Sequence, residues 1–328
     1  MPPFDVNNIF SLTQDPTPFL DQSLSIFRFQ YMLNPVYRQW CELTGVDLFS
    51  IKTLADIPSL PISFFKTHNV CTTRFGPEAI FESSGTTQAS TSKHLVKDIS
   101  VYRQSFINCF GRFYGNLRDW CILGLLPSYL ERQNASLVMM VDELIKFSGH
   151  PDGGFYLDDH QKLAETLQRL EGEQQKTLLI GVTFGLLDFA ASFPQKLKHT
   201  VVMETGGMKG RRKELTRAEV HQLLRDGLSI EEVHSEFGMT ELLSQAYSKS
   251  GGRFICPPWM KVMVRDEDDP LLVKGAGTGI LQVIDLANIY SCSFIATEDV
   301  GRVYEDGSFE VWGRLDNSDI RGCSLLVL

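Results

Sequence analysis

Residues 177–182 read Thr-Leu-Leu-Ile-Gly-Val, a short apolar run that predicts a β-strand in the interior. The predicted elements around it alternate: strands at residues 120–126, 199–203 and 230–234, and helices at residues 130–147 and 215–225. Strands that alternate with helices are typical of layered α/β proteins, in which helices cover a largely parallel sheet. The middle of the chain therefore predicts an α/β fold.

The region before this core is predicted to be mainly helical. Apolar residues at mixed spacings of three and four predict one or two helices over residues 21–44. Residues 96–113 form a second helical stretch. Between them, residues 57–66 contain two prolines and predict a packed loop.

After Pro257 the helical spacing of apolar residues disappears. Short strands are predicted instead, at residues 261–264, 278–284, 300–304 and 308–312. Asp306-Gly307 lies between the last two strands, and this dipeptide is a strong signal for a hairpin turn. We therefore expect an α/β core over residues 1–255 and a β-rich subdomain over residues 256–328.

Composition narrows the class of protein. The chain has 328 residues, of which 43% are hydrophobic, so it can bury a sizeable core. Its net charge of -9 argues against nucleic-acid binding, which favours a basic surface. No secretory signal or membrane-spanning run is evident, and the seven cysteines form no CxxC pair. These features predict a cytoplasmic protein with reduced thiols.

The clearest chemical motif is the stretch at residues 81–94, Phe-Glu-Ser-Ser-Gly-Thr-Thr-Gln-Ala-Ser-Thr-Ser-Lys-His. Seven of its fourteen residues are serine or threonine, and they surround Gly85. Such a loop offers hydroxyl and backbone N–H donors to a polyphosphate without bulky side chains in the way. The pattern is not a Walker loop. Its alternative interpretation is an ordinary Ser/Thr-rich surface loop.

Two further motifs follow along the chain. Residues 235–241, Ser-Glu-Phe-Gly-Met-Thr-Glu, combine an aromatic ring, a glycine, a hydroxyl and a carboxylate that could stack a base and hold Mg²⁺. Residues 297–302 and 313–322 contain Asp299 and Arg314, which could bind the hydroxyls of a ribose and a phosphate. A charged surface of β-strands is the alternative for this last region.

The order and spacing of these motifs resemble the adenylate-forming superfamily, which includes acyl-CoA synthetases, firefly-type luciferases and adenylation domains. The matching segments are Ser83-Ser-Gly-Thr-Thr87, Phe237-Gly-Met-Thr-Glu241, Thr297-Glu-Asp-Val-Gly-Arg302 and Gly313-Arg-Leu-Asp316. Within the superfamily the chain is most similar to the acyl-protein synthetases of the bacterial luminescence fatty-acid reductase complex. Residues 60–66 and 319–324 are also typical of that group. The resemblance implies the adenylate-forming large-domain fold, with layered sheets and flanking helices.

The resemblance also implies roles in binding ATP and Mg²⁺. The residues that would wrap the β- and γ-phosphates are Ser83, Ser84, Gly85, Thr86 and Thr87. Thr240 would contact the α-phosphate, and Glu241 would be the ligand of Mg²⁺. The expected activity is the conversion of a fatty carboxylic acid to an acyl-adenylate, followed by acyl transfer to a thiol.

The nucleoside would be held by the other motif residues. Phe237 would stack on the adenine, whose pocket Gly206 and Gly207 would border. Asp299 would bind the ribose hydroxyls, with Arg314 nearby.

The sequence also differs from the superfamily pattern in some respects. Glu298 replaces the glycine that usually precedes the ribose-binding aspartate. The chain ends at Leu328, shortly after Asp316, whereas the large synthetases continue into a mobile domain that carries a catalytic lysine. We therefore expect no separate C-terminal lid domain. The cations that could replace its lysine are Lys93, Lys209, Arg211 and Arg212, and the sequence does not choose among them.

The acyl acceptor is a further expectation from the resemblance. Cys323 lies in the C-terminal motif and would receive the acyl group before its transfer to a partner reductase or carrier protein. The alternative is an ordinary structural cysteine. Two other functions stay open at this point: a phenylacetate-type acyl-CoA ligase, and a degenerate, non-catalytic binding subunit.

Overall fold

The computed structural model describes residues 2, 5–83, 91–126, 134–206, 215–267, 269 and 271–314. The helices are α1 (Pro16–Leu33), α2 (Pro35–Leu43), α3 (Phe64–Thr67), α4 (Ile99–Tyr114), α5 (Ser136–Ser148), α6 (His160–Gly172), α7 (Thr183–Ser192) and α8 (Arg217–Leu228). The strands are β1 (Leu60–Pro61), β2 (Ala79–Glu82), β3 (Lys93–Val96), β4 (Cys121–Leu125), β5 (Gly154–Phe155), β6 (Thr177–Val182), β7 (Thr200–Thr205), β8 (His234–Phe237), β9 (Ala246–Ser248), β10 (Met260–Arg265), β11 (Val273–Lys274), β12 (Gly277–Asp285), β13 (Phe294–Val303) and β14 (Phe309–Arg314).

The α/β core is built on a sheet with the strand order β5-β4-β6-β7-β8-β9. All neighbours in it are parallel except β8 and β9. All residues of β4 and β6 are buried, which explains why their sequences are apolar without alternation. The strands predicted at residues 120–126, 177–182 and 199–203 are confirmed.

The strand predicted at residues 230–234 was placed too early. Strand β8 begins at His234 and runs to Phe237. Glu231 and Glu232 are exposed and precede the sheet, whereas Ser235 and the two residues after it are buried. The apolar residues that suggested an earlier strand therefore belong to the turn that enters the sheet.

The second large sheet is mainly antiparallel and has the strand order β1-β13-β12-β10-β11, with β14 also paired to β13. It confirms the strands predicted after Pro257 and the hairpin at Asp306-Gly307, where Gly307 has a φ of +80°. Residues 57–66 are more ordered than the predicted loop, because β1 pairs in parallel with β13 and α3 follows it.

The helices begin where the sequence supplies capping groups. The Asp15 carboxylate accepts the backbone N–H of Thr17 at the start of α1, and Asp98 caps α4 in the same way. Thr216 and Glu219 form a capping box at α8. Residues 21–44 form two helices, since Pro35 starts α2 directly after Asn34.

The N-terminal helix is bound to a loop from the far end of the chain. The Gln30 amide donates to the carbonyl oxygens of Asn288 and Ile289 at 2.9 and 3.0 Å and accepts the backbone N–H of Ser293 at 2.9 Å. All of these residues are fully buried or nearly so. Helix α1 therefore fixes residues 288–293, which connect β12 to β13.

None of the helices in the described part of the chain is both long enough and apolar enough to span a membrane.

Candidate functional site

The base of the Ser/Thr-rich loop is closed by a small hairpin. Strands β2 and β3 pair antiparallel, with Glu82 opposite Lys93. Beyond this pair, the backbone N–H of Ser83 donates to the Ser92 carbonyl at 3.1 Å, and the Ser92 N–H donates to the Ser83 hydroxyl at 2.9 Å. The chain therefore enters and leaves the loop at one fixed point. Ser84, Gly85, Thr86 and Thr87 lie outside the described residues.

Glu241 lies at the base of this loop. Its side chain is buried, and the Ser92 hydroxyl donates a hydrogen bond to its carboxylate. Burial raises the pKa of Glu241, while the hydrogen bond from Ser92 and the charges of Arg314 and Lys66 act in the opposite direction. The structure thus brings Glu241 into contact with Ser92, which in turn pairs with Ser83 at the base of the loop.

The backbone around Thr240 and Glu241 is held by side chains from other elements. The Asn288 amide donates to the Glu241 carbonyl at 2.7 Å, and His94 Nδ1 lies 2.9 Å from the Thr240 carbonyl. Since a carbonyl only accepts, Nδ1 of His94 carries the hydrogen. Burial lowers the pKa of His94 to about 4, so the ring is neutral near pH 7.

Asp285 fixes the next part of the same segment. Its carboxylate accepts the backbone N–H groups of Leu243, Ser244 and Ala287 at 2.8–3.0 Å and the Ser244 hydroxyl at 2.5 Å. Burial raises the pKa of Asp285 to about 6, although these hydrogen bonds favour the charged form. A lone aspartate at the end of an apolar strand was the only signal for it in the sequence, and the motif analysis missed it.

The motif predicted to bind a ribose forms an ion pair across two strands. Asp299 on β13 is directly opposite Arg314 on β14, and Nε of Arg314 donates to Oδ1 of Asp299 at 3.1 Å. The Asp299 side chain is only 9% exposed, whereas that of Arg314 is 64% exposed. The structure therefore brings the two predicted residues together, with the guanidinium accessible to solvent.

The edge of the parallel sheet supplies Gly206 and Phe237. Gly206 follows β7 with a φ of +71°, and its carbonyl accepts the Thr183 hydroxyl at 2.5 Å. Phe237 ends β8 and is buried, with its ring centroid 5.1 Å from that of Phe309 and 5.8 Å from that of Phe254. The stacking of adenine on Phe237 stays a prediction. Gly207 lies outside the described residues.

A buried carboxyl group explains the glycine of the Phe-Gly-x-Thr-Glu motif. A Cβ atom on Gly238 would lie 2.5 Å from Oε1 of Glu236. Glu236 itself accepts the Thr205 hydroxyl at 2.5 Å, and burial raises its pKa to about 7. Any side chain at position 238 would therefore displace this carboxyl group.

Arg217, at the start of α8, connects the two large sheets. Its Nη1 donates to the Val311 carbonyl on β14 at 3.1 Å, and its Nε lies 3.7 Å from a carboxylate oxygen of Glu204 on β7. Its guanidinium also lies over the Phe254 ring, 5.2 Å from the centroid. This side chain therefore sets the distance between the strand that ends at Gly206 and the strand that ends at Arg314.

The metal site predicted from the sequence names one protein ligand, Glu241. In this part of the chain no three His, Cys, Asp or Glu side chains form a cluster that could hold a metal ion. Mg²⁺ bound with nucleotides often uses only one or two carboxylates, with phosphates and water as the other ligands. The single carboxylate of Glu241, beside the loop base, fits such a site.

These groups suit the binding of a nucleoside triphosphate. They comprise a loop base that contacts the buried Glu241 carboxylate through Ser92, and an aspartate–arginine pair across β13 and β14. Such an arrangement provides donors and charges for both ends of a nucleotide.

Comparisons with known proteins agree with this arrangement. The family model described as "Acyl-protein synthetase, LuxE" matches residues 9–328. Two relatives are named long-chain-fatty-acid–luciferin-component ligase. The one from Aliivibrio fischeri is 26% identical over 334 residues, covering 91% of this chain and 85% of the relative. The one from Vibrio harveyi is 24% identical over 328 residues, covering 91% and 84%.

Solved structures share the fold at low sequence identity. A 2-hydroxyisobutyryl-CoA ligase in the postadenylation state, in complex with 2-HIB-AMP, has a TM-score of 0.65 at 13% identity, covering 92% of this chain and 68% of that one. A long-chain-fatty-acid-CoA ligase from Archaeoglobus fulgidus has a TM-score of 0.52 at 15% identity, covering 72% and 51%. The expected adenylate-forming fold is therefore confirmed.

Proposed function

The chain belongs to the LuxE acyl-protein synthetase family, and from this membership we propose that it activates a long-chain fatty acid with ATP and transfers the acyl group to a thiol. The two relatives that are named for ligating long-chain fatty acids support this substrate class. The division into an α/β core over residues 1–255 and a β-rich subdomain over residues 256–328 is part of the same proposal.

One observation supports the proposal above the others: the Ser92 hydroxyl, at the base of the Ser/Thr-rich loop, donates a hydrogen bond to the buried Glu241 carboxylate. The charge of Arg314, the partner of Asp299, also acts to lower the pKa of Glu241, which supports placing one ATP molecule on these groups. An ATP molecule with its ribose on Asp299 would place its phosphates towards Glu241 and the loop.

The first step joins two anions. A carboxylate oxygen of the fatty acid forms a bond to the α-phosphorus of ATP, and the bond from that phosphorus to the pyrophosphate oxygen breaks. The loop donors and Thr240 would stabilise the charge on the phosphates as pyrophosphate leaves. Glu241 would hold Mg²⁺, which neutralises phosphate charge when bound.

The second step transfers the acyl group to a thiol, for which we propose Cys323. This residue lies outside the described part of the chain. Burial raises the pKa of every cysteine in the described part, which suppresses their reactive thiolate forms. Cys292, the next thiol to consider, is fully buried. A partner reductase or carrier protein would then receive the acyl group.

Exchange of pyrophosphate into ATP, measured with a panel of fatty and aromatic acids, tests the first step. We expect exchange that depends on a long-chain fatty acid, and a lack of exchange with every acid would contradict the proposal. Robust thioester formation on added coenzyme A, without labelling of the protein, would instead indicate an acyl-CoA ligase.

Labelling with radioactive fatty acid and ATP tests the second step. The wild-type protein should acquire a label that neutral hydroxylamine releases, as expected for a thioester. Cys323→Ser should still catalyse exchange but should lose this label, whereas Cys71→Ser, a control at a half-buried thiol, should keep it. A hydroxylamine-sensitive label on Cys323→Ser would assign the acceptor to another cysteine.

A further inference from the structure

Helix α3 lies at the edge of the strand that carries Asp299. The preceding strand β1 occupies this edge at Ile295 and Ala296, and the Ile62 N–H donates to the Ala296 carbonyl at 2.9 Å. On the same side of β13, β14 ends with Arg314 opposite Asp299. Along β13, only residues 297 and 298 lie between the part that pairs with β1 and the part that pairs with β14. Helix α3 follows β1 and begins beside these two residues.

The other side of α3 packs against the support of the Thr240–Glu241 segment. The buried ring of Phe65 contacts the ring of His94, with 5.8 Å between the centroids. His94 in turn holds the Thr240 carbonyl. Helix α3 is therefore fixed between the ribose-binding pair and the residues expected to contact the phosphates.

Lys66 follows Phe65 on this helix, and its side chain is exposed. The charge of Lys66 acts, together with that of Arg314, to lower the pKa of Glu241. Within the described part of the chain Lys66 has no ion-pair partner, whereas Lys93 is paired with Glu82 at 3.4 Å and Arg314 with Asp299. Lys66 is thus a cation that directly follows the residue in contact with His94, and the described residues leave its charge uncompensated.

We propose that Lys66 is a catalytic residue of the adenylation step, with its ammonium group bound to the α-phosphate and to the attacking carboxylate. This proposal rests on the proposed function. As the carboxylate oxygen bonds to phosphorus and pyrophosphate departs, negative charge grows on the non-bridging oxygens of the α-phosphate. Lys66 stabilises that charge by donating hydrogen bonds, stays protonated throughout, and transfers no proton.

Lys66 acts at a different stage of the reaction from the groups that bind the nucleoside. Asp299 acts on the ribose before and after reaction, so its loss weakens ATP binding. The Lys66 ammonium acts on charge that develops during the reaction, so its loss lowers the rate more than the affinity. Acyl transfer from an acyl-adenylate that is already formed does not require it.

Three measurements on Lys66→Met test this assignment: acid-dependent pyrophosphate exchange, ATP affinity by calorimetry, and acyl transfer to the protein from synthetic acyl-adenylate. We expect the exchange rate to fall by about 100-fold or more, as when a donor to a developing oxyanion is removed. ATP affinity should change by less than about fivefold and transfer from acyl-adenylate by less than about threefold, since neither depends on charge that develops at the α-phosphorus. Lys66→Arg should recover part of the exchange rate, and Lys52→Met, at another exposed lysine, should match the wild type.

The possible results distinguish a failure of the role of Lys66 from a failure of the proposed function. A wild-type exchange rate in Lys66→Met, or an equal loss of exchange and of transfer from acyl-adenylate, would refute the role of Lys66 and leave the proposed function intact. A wild-type protein without exchange on any fatty acid would refute both. Should Lys66→Met fold poorly, Lys66→Gln, which keeps a polar side chain, replaces it in the same three measurements.

Discussion

The two sheets that meet at the site hold their charged side chains differently. We call the parallel sheet the parallel wall of the site and the antiparallel sheet its antiparallel wall. The parallel wall contains Glu204 and Glu236, which are both buried and accept hydrogen bonds from threonine hydroxyls. The wall from the antiparallel sheet presents Arg314 and, from the adjoining helix α3, Lys66, both with exposed side chains. The first wall therefore shapes the site, and the second offers charge to a ligand. Glu241 belongs to neither group, because it is buried and yet the charges of both cations act to lower its pKa.

The largest expected effect is at Glu241, where burial alone would suggest a structural role. Glu241→Gln should lower pyrophosphate exchange by about 100-fold or more, since Mg²⁺ loses its anionic protein ligand. The fold should persist, because an amide of the same shape carries no charge to bury. Exchange at the wild-type rate at low Mg²⁺ concentration would remove Glu241 from the metal site. Glu236→Gln, at a buried carboxyl five residues earlier, is the matched control and should keep most of the exchange.

A smaller effect is expected on the antiparallel wall, at Asp299. Asp299→Asn should weaken ATP binding by about tenfold or more, because a hydrogen bond to a charged acceptor contributes roughly 1.5–3 kcal/mol. Calorimetry with 2′,3′-dideoxy-ATP sharpens this test. The wild type should bind this analogue weakly, and the variant should no longer distinguish it from ATP. A variant that still prefers ATP as strongly as the wild type would show that Asp299 does not bind the ribose.

The smallest effect is expected at Glu236 on the parallel wall, and it concerns the stability of the folded protein and not its activity. The pKa of Glu236 is about 7 in the folded protein, against 4.5 for the ordinary side chain. The folded state therefore binds more protons than the unfolded state between these values, and its stability falls as the pH rises through about 7. Glu236→Gln removes this loss, so the variant should be more stable than the wild type at pH 8 by about 1–3 kcal/mol.

Urea unfolding at pH 5 and pH 8 checks the prediction for Glu236. The free energies of unfolding of the two proteins should be close at pH 5 and should diverge at pH 8. A difference that is the same at both pH values would show that the ionisation of Glu236 has no part in it.

Local patterns in the sequence predicted much of the fold, and the errors have physical causes. Strands β4 and β6 were found because both are buried throughout and thus continuously apolar. Helix α6 was missed, although Leu163, Leu167 and Leu170 lie on one buried face at helical spacing. Its many charged residues on the other face hid that pattern.

The site was predictable where its residues lie within short motifs. Glu241 and Asp299 were identified because their neighbours in the sequence form recognisable segments. His94 and Asn288 were missed as supports of residues 240–241, since these contacts join parts of the chain that are 146 and 47 residues apart. Lys66 was missed for the same reason, because only the pairing of β1 with β13 brings it to the site.

The attachment of Gln30 to residues 288–293 can form only late in the synthesis of the chain. The Gln30 side chain must wait for partners that follow it by 258 to 263 residues. At a translation rate of about 5–20 residues per second, that delay is roughly 13–50 s. Asn288, which also holds the backbone of Glu241, emerges from the ribosome at the end of the same interval. Until then a nascent chain can already contain the strands of its parallel sheet but lacks the contact that holds the backbone of Glu241.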